Sequence, residues 1–251
     1  MDYKNIKEQM INFLKCEVKN AGFEKVIVAI SGGLDSSIVA VLCKEAFGDN
    51  MQGVLLPSQY SSNSSINDAI TLCKKFKIAY DVLSIEPMVS GYLNKMEDDK
   101  IRIGNFSARM RMSVLYDQSA KHNALVVGTS NKSEILLGYG TLYGDTACAI
   151  NPIGNIYKSD EFEFARFLGV PNEIINKKPS ADLWEGQSDE EELGYSYKML
   201  DLALKELYEK NKTKEEALTN GFDEDLLDMV IKRKESNEFK GRVPTIAKID
   251  F

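Results

Sequence analysis

Histidine is almost absent from this sequence of 251 residues, which contains only His122. A Ser-His-Asp or Cys-His mechanism would have to use this one residue, and nothing around it resembles a nucleophile site. His122 lies just before the apolar run at 124–127, so we expect it at a helix end or on the surface. The chemistry of this chain should therefore need no imidazole base.

Cysteine is also scarce, and its spacing excludes two common uses. None of the four cysteines forms a C-x-x-C pair, which excludes zinc-ribbon and thioredoxin-like sites. Cys16, Cys43 and Cys73 fit apolar helical faces, where a buried, reduced thiol is expected. Cys148 lies in the loop at 144–152, which also contains polar motif residues, so we consider it separately as a candidate nucleophile.

Long apolar runs and an excess of positive charge are missing too. No run reaches the roughly 18–20 residues of a membrane span, and the first eight residues lack the apolar region of a signal peptide. The net charge of −7 argues against a nucleic-acid partner, which usually requires a basic face. We therefore expect a cytoplasmic protein that binds neither membranes nor nucleic acids.

What the chain does contain is enough apolar sequence for a core: hydrophobic residues make up 43% of it. Short apolar runs typical of buried strands alternate with stretches of helical periodicity. The strands are expected at 26–30, 53–56, 80–84 and 125–127, and the helices at 6–18, 38–42, 65–76 and 105–121. This alternation predicts an α/β fold with a doubly wound parallel sheet.

Three polar segments directly follow predicted strands, at 31–36, 57–65 and 128–134. Ligands of doubly wound sheets bind beyond the carboxyl ends of the strands, so these segments are expected to form one site. Later the sequence becomes acidic and then helical in pattern, with one apolar stripe at 193–207 and another at 226–231. We interpret this part as a helical extension of the same domain.

The first of the three segments has the composition of a phosphate-binding loop. Its residues are Ser31, Gly32, Gly33, Leu34, Asp35 and Ser36. Glycines let the backbone approach an anion closely, and a helix N-terminus offers free N–H groups. No Gly-Lys-Ser/Thr follows, so this is not a Walker A loop. Asp35 would repel phosphate unless a magnesium ion bridges the two, and a simple turn with Asp35 as the helix cap is the alternative.

This loop resembles the pyrophosphate loop of the N-type ATP pyrophosphatases, which split ATP into AMP and pyrophosphate. Four further segments, at 104–112, 128–145, 151–158 and 178–190, resemble in order and spacing the ammonia-dependent NAD synthetases. The resemblance covers about residues 25–200. It implies that the chain adenylates the carboxylate of deamido-NAD with ATP and amidates it with ammonia. The products would be NAD, AMP and pyrophosphate, in the last step of NAD biosynthesis.

The resemblance also implies an architecture and a set of ligands. It predicts a single domain over 1–251, with a Rossmann-like, adenine-nucleotide alpha-hydrolase-like core at about 22–184 and a helical extension at about 189–239. ATP and Mg²⁺ are the expected cofactors. The family is homodimeric with deamido-NAD bound across the subunit interface, so a homodimer is expected here.

Residues of the ATP half are carried over where the motifs match. Asp35 and Glu134 match the magnesium ligands of the family. The ATP contacts are matched by the loop residues above together with Thr129, Lys158 and Ser180. Lys158 is also an expected catalytic residue, because an ammonium group suits a reacting phosphate. Without the resemblance, Lys158 would equally fit an ordinary surface lysine that opens a helix.

Residues of the deamido-NAD half are Arg109, Asp145 and Lys240. Asp145 is the second expected catalytic residue, because a carboxylate near the ammonia site can take a proton from ammonium. An aspartate that caps a turn is the alternative for this position. Arg111 lies about 200° around the same helix from Arg109 and is expected to have another role.

Three positions depart from the pattern of the family. Many members have lysine where Leu142 stands and aspartate where Ala149 stands, and both usually contact deamido-NAD. The family often has His-Lys-Arg near the C-terminus, where this chain has Phe239 before Lys240. These departures concern the detailed contacts to deamido-NAD and leave the ATP half unaffected.

Other functions fit the sequence less well. The ATP-binding half of a GMP synthetase shares the loop but not the segment at 138–145, and a tRNA-modifying enzyme is disfavoured by the acidic charge. A non-catalytic nucleotide sensor would not need the two metal-binding carboxylates. Ammonia rather than glutamine is the expected nitrogen donor, because the ATP-binding fold leaves no room for a glutaminase. The segments at 57–65 and 177–187 are expected to order over bound nucleotide as lids.

Overall fold

The computed structural model describes residues 1–93, 99–182, 184 and 186–249. Within this part of the chain, four parallel strands form a sheet in the order β3-β2-β1-β4. The strands are β1 (Lys25–Ala29), β2 (Met51–Leu55), β3 (Ala79–Val82) and β4 (Ala124–Val126). In β1, Val28 lies opposite Gly53 of β2, and Ile27 lies opposite Val126 of β4. The predicted parallel sheet is confirmed, and its strand order reverses beside β1, where such sheets form a ligand crevice.

Helices follow the strands and then continue alone to the C-terminus. They are α1 (Tyr3–Asn20), α2 (Leu34–Phe47), α3 (Asn63–Phe76), α4 (Glu86–Leu93), α5 (Lys100–His122), α6 (Lys132–Leu137), α7 (Lys158–Leu168), α8 (Asn172–Ile175), α9 (Asp189–Leu193), α10 (Tyr197–Leu204), α11 (Lys214–Thr219) and α12 (Glu224–Asn237). A π-helical turn at Lys205–Glu209 prolongs α10, and 3₁₀ turns lie at Gly48–Asn50 and Glu238–Gly241.

Strands β1, β2 and β4 are largely buried because apolar helices cover both faces of the sheet, whereas the edge strand β3 is partly exposed. Val28 of β1 belongs to a core cluster with Leu14 of α1 and Ile38 of α2. The neighbouring Ile27 belongs to a second cluster with Leu115 of α5. Successive residues of a strand point to opposite faces, so the two clusters lie on the two sides of the sheet. The doubly wound arrangement predicted from the sequence is therefore confirmed.

All four predicted helices begin earlier in the structure than expected, and side-chain caps explain the starts of α3 and α5. Helix α3 begins at Asn63 because the Ser62 side chain accepts a hydrogen bond from the N–H of Ser65, so the expected start at Ser65 is wrong. Helix α5 begins at Lys100, five residues before the expected start, because the Asp99 side chain caps it. At its other end, α5 finishes with His122, as predicted.

The C-terminal helices pack around a core cluster of their own. The predicted stripe at 193–207 is buried in this cluster, together with Leu226, Leu227 and Val230 of α12. Leu137 of α6 and Tyr157 belong to the same cluster, so the extension packs directly on the part of the chain that follows β4. The division into one domain with a core and an extension stays a prediction.

The cysteines behave as predicted with one exception. Cys43 and Cys73 are buried and free, and burial raises the pKa of Cys73 to about 11. Cys16 is exposed, so its expected burial is wrong. The buried face of α1 consists of Met10, Leu14 and Val18, and Cys16 points away from it.

Among the described residues, no helix is both long enough and apolar enough to cross a bilayer.

Candidate active site

A cavity of about 470 Å³ opens at the carboxyl ends of the strands. Each of the three segments predicted to converge contributes to its wall: Ser31 and Asp35 from the first, Ser61 from the second, and Thr129 and Glu134 from the third. The predicted convergence of the three segments at this edge of the sheet is confirmed. The cavity continues past these segments to the C-terminal helices.

The loop between β1 and α2 is built to present free backbone N–H groups. Gly32 has a positive φ of 82°, and a Cβ there would lie 2.1 Å from the carbonyl oxygen of Ser65, so only glycine fits. Gly33 is the N-cap of α2 and provides no side chain to cap it. The first-turn N–H groups of α2 therefore remain available for an anion. Asp35 lies inside the helix and is not its cap, which removes the alternative considered from the sequence.

The serine hydroxyls of this loop form hydrogen bonds with other atoms of the same loop. The Ser36 hydroxyl accepts a hydrogen bond from the N–H of Ser31 at 3.2 Å, and the Ser31 hydroxyl accepts one from the N–H of Gly33 at 3.2 Å. Ser37 donates to the Gly33 carbonyl at 2.7 Å. These contacts fix the shape of the loop before any ligand binds, which is the preorganisation that anion binding favours.

Lys158 and Asp35 form a buried ion pair at the centre of the cavity wall. The side chain of Lys158 is 3% exposed, and its ammonium contacts Asp35 Oδ2. Burial favours a higher pKa for Asp35, but the charge of Lys158 together with hydrogen bonds from Glu161, Lys158 and Asn131 outweighs it and holds the pKa of this carboxyl below its usual value. Burial alone would lower the pKa of Lys158, whereas Asp35 and its neighbours raise it. The lysine is therefore charged, and it opens α7 from inside the protein rather than from its surface.

Asn131 joins the two predicted metal-binding carboxylates. Its Nδ2 donates to Asp35 Oδ1 at 2.7 Å, and its Oδ1 accepts from the N–H of Glu134 at 2.9 Å. Glu134 completes a capping box by accepting from the N–H of Asn131. Asn131 is fully buried, so it orients Asp35 and Glu134 together.

Carboxyl groups outnumber cations around Lys158. Glu161, one turn further along α7, is fully buried, and its Oε2 lies 3.7 Å from the Lys158 ammonium. Neither of its carboxyl oxygens accepts a hydrogen bond from an N–H donor of the described residues, whereas a protonated Glu161 can donate to the nearby Asp35 carboxylate. Burial and the proximity of Asp35 raise the pKa of both Glu134 and Glu161 well above the usual value. These carboxyls therefore retain protons more strongly than usual, and a further cation in the cavity would favour their charged forms.

A divalent cation with phosphate ligands fits this donor set. Among the described residues, no three His, Cys, Asp or Glu side chains are already grouped to hold a metal. Mg²⁺ typically takes one or two carboxylates from the protein and its other ligands from phosphates and water. Asp35 and Glu134, held together by Asn131, provide such a pair, and the surplus of carboxylates favours a cation there.

The other predicted ATP and dinucleotide contacts fall into two groups. Thr129, Ser180, Asp145 and Lys240 line the cavity, whereas Arg109 does not. The Arg109 side chain is exposed, and its Nε donates to the Leu142 carbonyl at 3.2 Å. The structure thus brings four of these five residues together within one subunit.

Asp145 both caps a turn and faces the cavity. Its Oδ1 accepts a hydrogen bond from the N–H of Thr141 at 2.8 Å, as the turn-capping alternative requires. The carboxylate is accessible from the cavity, yet the surrounding protein atoms raise its pKa, an effect that the Thr141 N–H partly offsets. Cys148 does not line this cavity; its Sγ packs against the backbone of Gly128. Burial raises the pKa of the Cys148 thiol, which makes it a poor nucleophile.

The two predicted lid segments are hydrogen-bonded to each other. The N–H of Ser62 donates to Asp182 Oδ2 at 3.0 Å, and the Lys177 ammonium donates to Ser65 Oγ at 2.8 Å. Arg111 faces the cavity and donates to the Leu56 carbonyl at 3.0 Å, which anchors the start of the first segment. Leu183 and Glu185 of the second segment lie outside the described residues.

Sequence reasoning missed several residues of this site. Asn131 had a usable signal, since asparagine followed three residues later by glutamate is a capping-box pattern. Glu161 and Asp182 had none, because their importance depends on contacts with residues distant in the chain. Arg233 of α12 also lines the cavity and was missed for the same reason.

Known proteins resemble this chain over nearly its whole length. Residues 6–244 match the family described as NAD synthase. The chain is 51% identical over 242 residues to an NH(3)-dependent NAD(+) synthetase from Wolinella succinogenes, covering 96% of this chain and 94% of the relative. Its structure is similar to the NH3-dependent NAD synthetase from Campylobacter jejuni, with a TM-score of 0.85 and 39% identity over 99% of this chain and 100% of that one. It is also similar to the NMN synthetase from Francisella tularensis, with a TM-score of 0.88 and 28% identity over the same shares.

Proposed function

The chain belongs to the NAD synthase family, and from this premise we infer that it converts deamido-NAD to NAD with ATP and ammonia. It is thus an enzyme of the carbon–nitrogen ligase class that acts in the last step of NAD biosynthesis. The observation that carries this conclusion is the match of residues 6–244 to the family, together with 51% identity to a curated relative over almost the whole of both chains.

We propose that the phosphates of ATP bind at the loop 31–36 and at Lys158. The free N–H groups at the start of α2 suit the β- and γ-phosphates, which leave as pyrophosphate. The substrate carboxylate is already ionised, so its attack on the α-phosphate needs positioning and charge neutralisation rather than a base. Lys158, which is charged and held at the cavity wall, supplies that neutralisation.

Asp35 and Glu134 are the residues that would hold Mg²⁺. When bound, the ion supplies charge neutralisation on the phosphate oxygens. Lys158, whose ammonium contacts Asp35 in this structure, would then be able to turn that ammonium toward a phosphate oxygen. Glu161 stays beside Lys158 in that state and limits how far the ammonium moves.

Ammonia then attacks the carbonyl carbon of the acyl-adenylate, and AMP leaves. Only neutral ammonia is a nucleophile, so ammonium must first lose a proton. We propose that Asp145 accepts this proton, because its raised pKa makes the carboxylate a stronger base than an ordinary aspartate. The hydrogen bond from Thr141 keeps the carboxylate oriented at the cavity.

A mononucleotide substrate is the second candidate. The likeness to an NMN synthetase favours it, because that structure covers the chain as completely as the dinucleotide synthetase does. Leu142 and Ala149, which stand where many family members have charged deamido-NAD contacts, are consistent with a changed second substrate. Comparing kcat/KM for nicotinic acid mononucleotide and deamido-NAD decides between the two.

We propose that the enzyme is a homodimer. Helices α4 and α5 pack against each other and expose large apolar side chains, namely Met88 and Tyr92 of α4 and Ile101 and Tyr116 of α5. Such a surface typically lies at an interface. Arg109, which does not reach the cavity of its own subunit, would then contact dinucleotide across that interface. Light scattering after size exclusion should give twice the mass of 28.1 kDa.

We also propose that the enzyme works in the cytoplasm. None of the four cysteines is paired, although two of them are buried where oxidation would disturb the core. Free thiols of this kind are typical of a reducing compartment. Fractionation of cells that express the chain at its native level would test this.

The experiment that tests the function is direct. The purified chain should form NAD and AMP from deamido-NAD, ATP, Mg²⁺ and ammonium. With glutamine in place of ammonium, and no partner protein, little NAD should form. Robust glutamine-driven synthesis, or the absence of NAD with all substrates present, would overturn the proposal.

A further inference from the structure

We propose that Arg233 binds the diphosphate of the pyridine dinucleotide, an inference that rests on the proposed function and adds a substrate-binding residue to it. Arg233 lies near the end of α12 and lines the same cavity as the phosphate loop. It is half-buried. Within the part of the chain that the structure describes, its guanidinium has no carboxylate or hydrogen-bond acceptor as a partner; its contact is with the ring of Tyr139.

Most other cations of the cavity have their donors engaged by protein, and Lys178, which has no partner among the described residues, is exposed. Lys158 pairs with Asp35, and Arg111 donates to backbone and serine oxygens of the loop at 56–61. Lys177 pairs with Asp68. Arg233 instead keeps its planar set of N–H donors unused at the wall of a cavity that must receive two polyanionic substrates. A guanidinium in this state suits bidentate contacts to phosphate oxygens.

Arg233 is also held in place. Its side chain lies over the ring of Tyr139, with 5.9 Å between the guanidinium carbon and the ring centre. The Tyr139 hydroxyl donates to Asp189 at 3.0 Å, with Glu192 at 3.2 Å as the alternative acceptor, so the ring is fixed from its other end. Asn237 Nδ2 donates to the Arg233 carbonyl at 3.0 Å. A stacked guanidinium loses little freedom when it binds an anion.

Lys240 adds a second positive charge beside Arg233. Its ammonium donates to the carbonyls of Gly138 and Gly140, at 2.8 and 3.1 Å. Burial lowers the pKa of Lys240, and Arg233 lowers it further, while Asp145 acts in the opposite direction. Two cations that repel each other across a cavity wall are stabilised when an anion lies between them.

The position of the pair distinguishes among the available anions. Tyr139 contacts Arg233 with its ring and Asp189 with its hydroxyl, and Asp189 is close enough to Lys158 to interact with its charge. Within the described residues, no hydrogen bond or ion pair joins Arg233 to Lys158, to Asp35 or to the loop at 31–36, so we assign Arg233 to the dinucleotide rather than to the triphosphate of ATP. If Arg233 instead bound the reacting carboxylate of deamido-NAD, it would make that carboxylate a weaker nucleophile. The diphosphate does not react and keeps its charge throughout the reaction.

The test uses two variants of the full chain and one matched control. Arg233→Met removes the charge, and Arg233→Lys keeps the charge but loses the planar fork. Arg166→Met makes the same change at an exposed arginine of α7 that pairs with Glu163. For each protein, calorimetric titration gives the Kd of NAD and of ATP, and steady-state kinetics give the KM of deamido-NAD. NAD carries the diphosphate but no carboxylate, so its binding separates the two groups.

Arg233→Met should raise the Kd of NAD and the KM of deamido-NAD by the same factor, about 10- to 100-fold, which is typical for the loss of a charge-assisted hydrogen bond. The Kd of ATP should change less than about twofold, and Arg233→Lys should recover part of the loss. Arg166→Met should match wild type. The inference is overturned if NAD binding is unchanged, if only the KM of deamido-NAD rises, or if the Kd of ATP rises instead. The binding of NAD needs no turnover, so it tests the role of Arg233 even if the wild-type chain fails to synthesise NAD. A failure of synthesis would count against the proposed function alone.

Discussion

Replacing Asp35 with asparagine separates the metal-binding role of this carboxylate from its part in the fold. In the wild type, Asp35 Oδ2 contacts the Lys158 ammonium and Oδ1 accepts from Asn131. Asparagine keeps the size and one acceptor oxygen but loses the charge. If this carboxylate holds Mg²⁺ on the phosphates, the transition state loses about 3–4 kcal/mol, so AMP formation should fall on the order of 10²–10³-fold.

The same change should destabilise the protein less than the loss of one partner of a buried ion pair usually does. Removing one partner of a buried ion pair typically costs about 3–5 kcal/mol, because the other charge is left alone. Here the Glu161 carboxyl remains 3.7 Å from the Lys158 ammonium, and Glu134 also lies near it. We therefore expect a loss of about 1–3 kcal/mol, which lowers Tm by roughly 2–10 °C for a chain of this size.

The assay measures AMP release by chromatography well below the Tm of the variant, with thermal unfolding followed in parallel. Asp49→Asn is the matched control, because Asp49 follows the C-terminus of the same helix, is fully exposed and pairs with Lys44. This control should keep both activity and stability. Near wild-type AMP production by Asp35→Asn would refute the assignment of this carboxylate to the metal.

Four further predictions follow from the same geometry. Glu134→Gln should reduce AMP formation about as strongly as Asp35→Asn while the capping box keeps the fold, and a loss smaller than tenfold in AMP release would contradict its role. Glu161→Gln should stabilise the protein by about 1–2 kcal/mol in thermal unfolding, because it removes a buried carboxyl whose folded-state pKa is raised. Because this pKa is raised in the folded state, the wild type loses stability as pH increases above the unfolded value near 4.5. The gain in stability of Glu161→Gln should therefore be larger at pH 8 than at pH 5. A variant with a lower Tm than wild type at both pH values would refute this prediction. Hydrogen exchange at 57–65 should slow when ATP and deamido-NAD bind, and Asp182→Ala should weaken that protection because the Ser62 N–H loses its acceptor; equal exchange with and without ligands would exclude a lid. At limiting total ammonium, the rate should rise with pH toward the pKa of ammonium, and Cys148→Ala should leave the reaction mostly intact, since that thiol does not line the cavity.

Local features of this chain were readable from the sequence. The four strands and the phosphate loop were predictable because a short apolar run, a glycine turn and a helix start are encoded by adjacent residues. Helix α5 shows where this fails: its start depends on the cap provided by Asp99, and the expected start fell five residues later. Helix starts set by a single side chain are easy to misplace when periodicity is the main signal.

The orientation of a helix around its axis could not be predicted from the sequence in the same way. Arg109 and Arg111 were known to point in different directions, about 200° apart. Which of them reaches the cavity depends on how α5 packs on the sheet, and the structure puts Arg111 at the cavity and Arg109 at the surface. The resemblance to a family selected Arg109, and that residue stays a prediction that concerns the dimer.

Residues that act through distant neighbours were missed altogether. Glu161 reads in the sequence as one more acidic residue of a surface helix, yet it is buried beside Lys158. Its burial depends on α7 packing against α2, which carries Asp35. Tertiary contacts of this kind have no periodicity or spacing that a single sequence displays.

The central claim is that the substrate carboxylate attacks the α-phosphate of ATP, and an isotope measurement tests it most directly. Deamido-NAD labelled with ¹⁸O in its carboxylate is incubated with the enzyme, ATP, Mg²⁺ and ammonium, and the AMP is analysed by mass spectrometry. Attack by the carboxylate forms the acyl-adenylate, and ammonia then breaks the bond between the carbonyl carbon and that oxygen. We therefore predict that each AMP formed carries one ¹⁸O atom and that pyrophosphate carries none. Label found in inorganic phosphate beside ADP, or AMP without label, would contradict the account.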